Sequence, residues 1–213
     1  MNLKKIKIDN IDKINKDKMK IVGITGLIGS GKSTLSSYIK TKGYKIVDAD
    51  NISRDITKKD RIGYTKVVEE FGRDILSSNG EIDRAKLSKT VFNDKNALKK
   101  LNDTLHPLIF QEIDRQLDSY KDEKILFLDA PLLFETKLDK KCDEIILVVC
   151  DEEVQISRIQ KRDTKDYDSA KKIIDSQIAK EFKIEKSDYI IDNNCEIERF
   201  YFKVDLIMRI LTN

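Results

Sequence analysis

The sequence predicts an α/β fold, a parallel sheet with helices on both faces, and three observations carry the prediction. Short apolar runs without polar alternation recur along the chain, as strands buried on both faces of a parallel sheet require. Segments with helical periodicity separate them, so each strand returns through a crossover helix. Between the first apolar run and the first helical segment stands a glycine-rich turn, Gly26-Leu27-Ile28-Gly29-Ser30-Gly31-Lys32-Ser33.

The elements follow in order. Residues 1–18 are rich in Lys, Asp, Asn and Ile and admit two readings. Either Met19 is the true start and this extension is dispensable, or Ile6, Ile8, Ile11 and Ile14 dock an ordered flap. Lys20–Thr25 is the first strand, and Thr34–Lys40 opens the first helix. Tyr44–Asp48, Ile125–Asp129, Ile145–Cys150 and Tyr189–Asp192 are the second to fifth strands. No convincing strand lies between the second and third. Ser77-Ser78-Asn79-Gly80 marks a turn there, and Asp83 and Asp94 are placed to cap helices. Leu98, Leu101, Leu105, Leu108/Ile109, Ile113 and Leu117 recur at helical spacing, so residues 60–120 read as a helical insertion. Proline lacks the N–H and pushes its predecessor out of helical geometry, so a break or kink is expected at Leu105–Pro107. Ile197, Phe200/Tyr201, Val204, Ile207/Met208 and Leu211 mark a C-terminal packing helix. Residues 19–213 thus form one domain with an inserted side-unit.

A chain of 213 residues is long enough to bury a real core. Its 39% hydrophobic and 37% charged residues nearly balance in charge, at a net +3, which gives no case for nucleic-acid or membrane binding. Cys142, Cys150 and Cys195 are odd in number and widely spaced, and there is one histidine, so neither a disulfide framework nor a zinc site is expected. No apolar run approaches the ~20 residues of a membrane span. The N-terminal segment lacks the continuous apolar core of a secretory signal. A reduced, cytoplasmic enzyme is expected, monomer or small homo-oligomer.

The chemistry begins at the turn. A strand feeding a glycine-rich loop and then a helix N-terminus aims backbone N–H groups and the positive end of the helix dipole at one point. The residues match the phosphate-binding pattern G-x-x-x-x-G-K-[ST]. Gly29, Ser30, Gly31, Lys32, Ser33 and Thr34 are therefore candidates to hold a nucleoside triphosphate, with ATP the default. Lys32 would reach the β- and γ-phosphates, and the Ser33 hydroxyl would ligate Mg²⁺. Asp60-Arg61-Ile62-Gly63 fits the D-x-x-G of GTPases, but no N-K-x-D guanine signature accompanies it, so that reading is rejected.

Other candidates carry alternatives. Asp48 and Asp50 end the second strand at the sheet edge where ligands bind in such folds. A carboxylate there either orients an attacking hydroxyl or caps the helix starting near Asn51. Asp129 closes a hydrophobic strand, as a Mg²⁺-holding acid or a strand-end carboxylate. Arg158 and Arg162 are i,i+4 neighbours on one face of a predicted helix, able to cover phosphoryl charge or merely solvated. His106 is either a structural histidine or, at a kink, a substrate contact.

These segments together resemble the dephospho-coenzyme A kinase family, in order and from Lys20 to about Val204. The carrying elements are Ile24-Thr25-Gly26 through Thr34, Asp48-Ala49-Asp50-Asn51-Ile52-Ser53-Arg54, Gly80-x-Ile82-Asp83-Arg84 and Leu105-His106-Pro107. Asp129-x-Pro131-Leu132-Leu133-Phe134-Glu135, Gln155-x-x-Arg158-x-x-x-Arg162, Gln177 and Asp188-Tyr189-Ile190-Ile191-Asp192-Asn193 follow. The resemblance implies a P-loop NTPase three-layer α/β sandwich with a five-stranded parallel sheet, a helical substrate-binding insertion and a helical lid at about 152–185. It implies transfer of the ATP γ-phosphate to the ribose 3′-hydroxyl of dephospho-coenzyme A. Asp50 would stand nearest that hydroxyl, Arg158 and Arg162 would be the lid cations, and Arg54, Arg84 and His106 would line the substrate side. Leu27 and Cys195 stand where the family commonly has glycine. The rivals are another small phosphate-loop kinase and a nucleotide-sensing module without turnover. Lys32, Ser33, Asp50 and both lid arginines argue against the second.

Overall fold

The structure is a computed structural model and describes residues 19–92 and 94–212. The two readings of residues 1–18 lie outside the described residues. In chain order the elements are β1 (Lys20–Gly26), α1 (Lys32–Thr41), β2 (Lys45–Asp48), α2 (Ala49–Ile56), α3 (Ile62–Phe71), α4 (Arg84–Phe92) and α5 (Lys95–Ser119). Then follow β3 (Ile125–Asp129), β4 (Glu144–Val149), α6 (Glu152–Asp163), α7 (Tyr167–Asp175), α8 (Lys180–Lys186), β5 (Tyr189–Asp192) and α9 (Ile197–Thr212). The described residues fall into two compact units, 19–47 with 120–212, and 48–119.

The first unit holds one five-stranded sheet in the order β2-β3-β1-β4-β5. β1 pairs in parallel with β3 on one side and β4 on the other, and β4 pairs in parallel with β5. Every residue of β3 is buried, which is why its run shows no alternation. On one face Val22, Ile24, Phe127, Ile146, Val148 and Ile191 pack against Leu35 and Ile39 of α1 and the buried stripe Phe200, Val204, Ile207, Met208 and Leu211 of α9. Each such side chain contributes roughly 1.5–3 kcal/mol by leaving water. On the other face Leu147 and Val149 meet Leu27, Ile184 of α8 and Ile190. Leu27 is thus a packed core residue, and the side chain at this usual glycine position is accommodated. Cys195 packs at the edge of the first cluster, 3.6 Å from Lys203 Nζ.

The second unit is helical, and Val67, Ile75 and Leu105 form its centre, with Ile56, Phe71, Leu101 and Ile109 around them. Asp48 caps α2 by accepting the Asn51 N–H at 2.9 Å. Asp83 caps α4, accepting from Ala85 N at 3.0 Å and Lys86 N at 3.1 Å. Asp94 does the same for α5 through Asn96 N at 2.8 Å. The turn at Ser77–Gly80 closes on an isolated antiparallel bridge, Leu76 to Ile82. Of the break or kink expected at Leu105–Pro107, the break is corrected: α5 continues as one helix through Pro107. The lost hydrogen bond falls on the carbonyl of Asp103, and both residues are exposed, so water can take the acceptor while flanking turns carry the helix.

Candidate active site

The loop between β1 and α1 takes its shape from two left-handed glycines, Gly29 at φ 71° and Gly31 at φ 98°. A Cβ on Gly31 would stand 2.3 Å from Asn193 Nδ2, and one on Gly29 would stand 3.1 Å from Gln155 O. Conformation favours glycine at both positions, and at Gly31 the lack of space requires it as well. Leu27 N donates to Val148 O at 3.1 Å, and Ser30 N to Leu27 O at 3.0 Å, so the turn folds back on the end of β4. Gln177 Oε1 accepts the Ile28 N–H at 3.0 Å. Arg158 Nη1 donates to Gly29 O at 2.9 Å, and Asn193 Nδ2 to Ser30 O at 2.7 Å. Gly31 O instead accepts from Thr34 N at 3.0 Å and Leu35 N at 3.2 Å, opening α1. Among the described residues the N–H groups of Gly31, Lys32 and Ser33 have no acceptor, the arrangement that receives an anion at a helix start.

Lys32 Nζ is paired with Asp129 Oδ1, and Asp129 Oδ2 accepts from Ser36 Oγ at 2.5 Å. Asp129 is 3% exposed, so both its oxygens meet donors in a place that water scarcely reaches. The strand-end acid therefore holds the loop lysine. Ser33 is exposed on the first turn of α1, whereas Ser30 is buried and its hydroxyl has no partner.

The segment at 152–185 is α6, α7 and most of α8. Ile156, Ile159 and Ala170 pack with Ile173, Ile174 and Ile28 of the loop. Of the two arginines on α6, Arg158 reaches the loop. Arg162 instead forms a two-pronged pair with Asp163, Nε to Oδ1 and Nη2 to Oδ2, both at 2.8 Å. That pair favours the charged form of each, raising the arginine and lowering the carboxyl. On α8 Lys183 is fully buried and lies 3.2 Å from Glu135 Oε1. Neither its ammonium nor the buried Glu135 oxygens make a well-aligned hydrogen bond.

The substrate-side candidates lie in the helical unit. Asp50 is exposed in the first turn of α2, and the capping falls to Asp48. Arg54 is exposed one turn on. Arg84 Nη2 reaches Thr57 Oγ1 at 3.4 Å, and Thr57 Oγ1 donates to Arg54 O at 3.1 Å, so both arginines lie at the end of α2. His106 stacks on Phe110, ring centres 5.6 Å apart. Elsewhere in this unit a cleft of about 540 Å³ is lined by Ile52, Asp55, Arg61, Ile62, Glu112 and Arg115.

Sequence reasoning attached no role to Asn193, Ser36, Gln177 or the Lys183–Glu135 pair. Gln177 and Asn193 were visible only as points of family resemblance, and Ser36 as the residue four after Lys32.

The sequence profile of the dephospho-CoA kinase family matches residues 20–199. The dephospho-CoA kinase of Fusobacterium nucleatum is 44% identical over 185 residues, 87% of this chain and 95% of that one. That of Oryza sativa is 39% identical over 193 residues, 90% of this chain and 84% of that one. Among solved structures, the dephospho-CoA kinase from Campylobacter jejuni superposes with a TM-score of 0.68 at 30% identity, over 89% of this chain and 95% of that one. With a parallel-sheet core, a glycine loop feeding α1 and a match spanning both units, the chain belongs to the dephospho-CoA kinase family.

Proposed function

We infer that the protein transfers the γ-phosphate of ATP to the ribose 3′-hydroxyl of dephospho-coenzyme A, giving coenzyme A and ADP. The observation that carries the reading is the loop at Gly26–Ser33, with its unsatisfied N–H groups, inside a chain that matches this family nearly end to end. The acceptor oxygen attacks the γ-phosphorus, the bond to the β-phosphate oxygen breaks, and the hydroxyl proton leaves toward Asp50. Such transfer passes through a loose transition state, so positioning and charge neutralisation outweigh base strength.

The N–H groups of Gly31, Lys32 and Ser33 face the phosphates, and Lys32 exchanges Asp129 for phosphate oxygens. Gly29, Ser30 and Thr34 shape the same cradle. Arg158 has donors beyond the two it uses on backbone carbonyls, and Arg162 can leave the exposed Asp163. Both thereby serve as cations over the transferring group. Arg54, Arg84 and His106 bind the acceptor.

No cluster of three or more His, Cys, Asp or Glu side chains suited to a metal occurs among the described residues. The exposed Ser33 hydroxyl and the Asp129 carboxylate beside Lys32 would hold Mg²⁺ that arrives with the nucleotide, a hard cation suited to oxygen ligands. Mg²⁺ bound there would supply neutralisation of the phosphate charge during transfer. No helix among the described residues is long and apolar enough to cross a membrane. The three cysteines are unpaired, which supports a reducing, cytoplasmic setting.

The test mixes purified protein with Mg-ATP and dephospho-coenzyme A and follows ADP, with the product checked by mass for one added phosphate. Coenzyme A formed only with that acceptor is expected. Equal ADP release without acceptor would overturn the reading. In single-turnover rates Lys32→Ala is expected to be more damaging than Asp50→Asn, and the reverse order would refute the weight given to charge over base catalysis.

A further inference from the structure

The phosphate loop is held from outside by the far end of the chain. Asn193 directly follows β5 and is 6% exposed. Its backbone N–H donates to Val149 O at 2.8 Å, which fixes it to the end of β4. Its side-chain Nδ2 donates to Ser30 O at 2.7 Å, across 163 positions of sequence. The C=O and N–H of one trans peptide point in opposite directions. A Ser30 carbonyl drawn onto Asn193 therefore turns the Gly31 N–H away from Asn193. The preceding peptide is pinned at both ends, with Gly29 O on Arg158 and Ser30 N–H on Leu27 O. Arg158 Nη2 also lies 3.4 Å from Asn193 O, so the two braces support each other. The close fit is seen again at Gly31, where Nδ2 fills the space a Cβ would need.

We propose that Asn193 is a positioning residue for phosphoryl transfer: with Arg158 it orients the Ser30–Gly31 peptide so that the Gly31 N–H faces the phosphates before nucleotide arrives. The choice of ATP as nucleotide rests on the kinase reading above. Asn193 acts through the loop backbone and has no need to touch the nucleotide. An amide suits the position because it offers a neutral donor to a buried carbonyl. A carboxylate of the same size would set an acceptor against an acceptor.

The test measures binding of ATP, of inorganic tripolyphosphate and of dephospho-coenzyme A by calorimetry, with melting temperature alongside. It compares the intact chain with Asn193→Ala and Asn193→Asp. The alanine variant is expected to bind ATP and tripolyphosphate about tenfold more weakly, the worth of one hydrogen bond to a buried group. The aspartate variant should lose more, and KM for ATP should rise while dephospho-coenzyme A affinity holds and the alanine variant's melting temperature falls only by the roughly 2–4 °C that one buried hydrogen bond carries. Weakening of ATP with tripolyphosphate unchanged would overturn the proposal, because Asn193 would then be serving the base. Parallel loss of all three ligands with a lowered melting temperature would overturn it too, leaving only a scaffold role. If the aspartate variant does not fold, the alanine variant decides. Failure of the wild type to phosphorylate dephospho-coenzyme A, with the tripolyphosphate effect intact, would fault the kinase reading and leave this one standing.

Discussion

Replacing Lys183 by methionine removes a fully buried ammonium and leaves the buried Glu135 oxygens, one of them 3.2 Å away, without their counter-charge. Taking one partner from a buried ion pair costs about 3–5 kcal/mol. Neither group here has a well-aligned hydrogen bond, so the lower end applies, about 3 kcal/mol. For a chain of this size each kcal/mol shifts melting by roughly 2–4 °C, so Lys183→Met should melt roughly 6–12 °C below wild type. Removing both charges, in Lys183→Met with Glu135→Leu, should recover most of that loss, because an apolar pair needs no solvation. The assay is a circular-dichroism melt of the three variants and wild type without nucleotide. A single variant that melts with wild type, or a double variant no better than the single, would refute the reasoning.

Gly31→Ala forces a Cβ to 2.3 Å from Asn193 Nδ2 at a φ of 98°; ATP binding measured by calorimetry should vanish while the far-ultraviolet spectrum stays native. Burial, and then the charges of Asp139 and Asp143, push the Cys142 thiol up to about 12. At pH ~8 a disulfide reagent should therefore leave Cys142 unmodified in the folded protein and label it in denaturant, as peptide masses will report. Arg115, and then Gln116, hold the Glu112 carboxyl down at about 2 against an ordinary 4.5. Its contribution to stability is present above 4.5 and is lost as pH falls through about 2. In Arg115→Ala that acid-dependent loss should largely disappear, and the carboxyl-carbon titration should move back toward the ordinary value; the effect on stability is small because the pair is partly solvated.

The strands were legible because burial on both faces leaves an unbroken apolar run. β3 at Ile125–Asp129 and β5 at Tyr189–Asp192 have the expected limits, and β1, β2 and β4 differ by a residue at their ends. The caps at Asp83 and Asp94 were equally readable, since a cap acts within one helical turn. Pro107 misled as to a break because a local rule met a long helix that tolerates one missing bond on its exposed side. Lys183 was invisible for a related reason. A lysine in a charged stretch reads as solvated, and only the fold brings Glu135 to it. The loop motif announced its ligand, yet its braces from Arg158 and Asn193 span 129 and 163 positions, and contacts so distant leave no periodicity to read.

The sheet order also sets when the enzyme comes into being. β1 is made early, but its partners are Ile125–Asp129 and Glu144–Val149, and the loop's last brace waits for Asn193. At about 5–20 residues per second, the growing chain carries an unpaired apolar β1 for on the order of ten seconds. Full nucleotide affinity is thus reached only near the end of synthesis. A chain stalled before β5 leaves the outer edge of β4 unpaired, and without its Asn193 brace ATP gives it little help in folding.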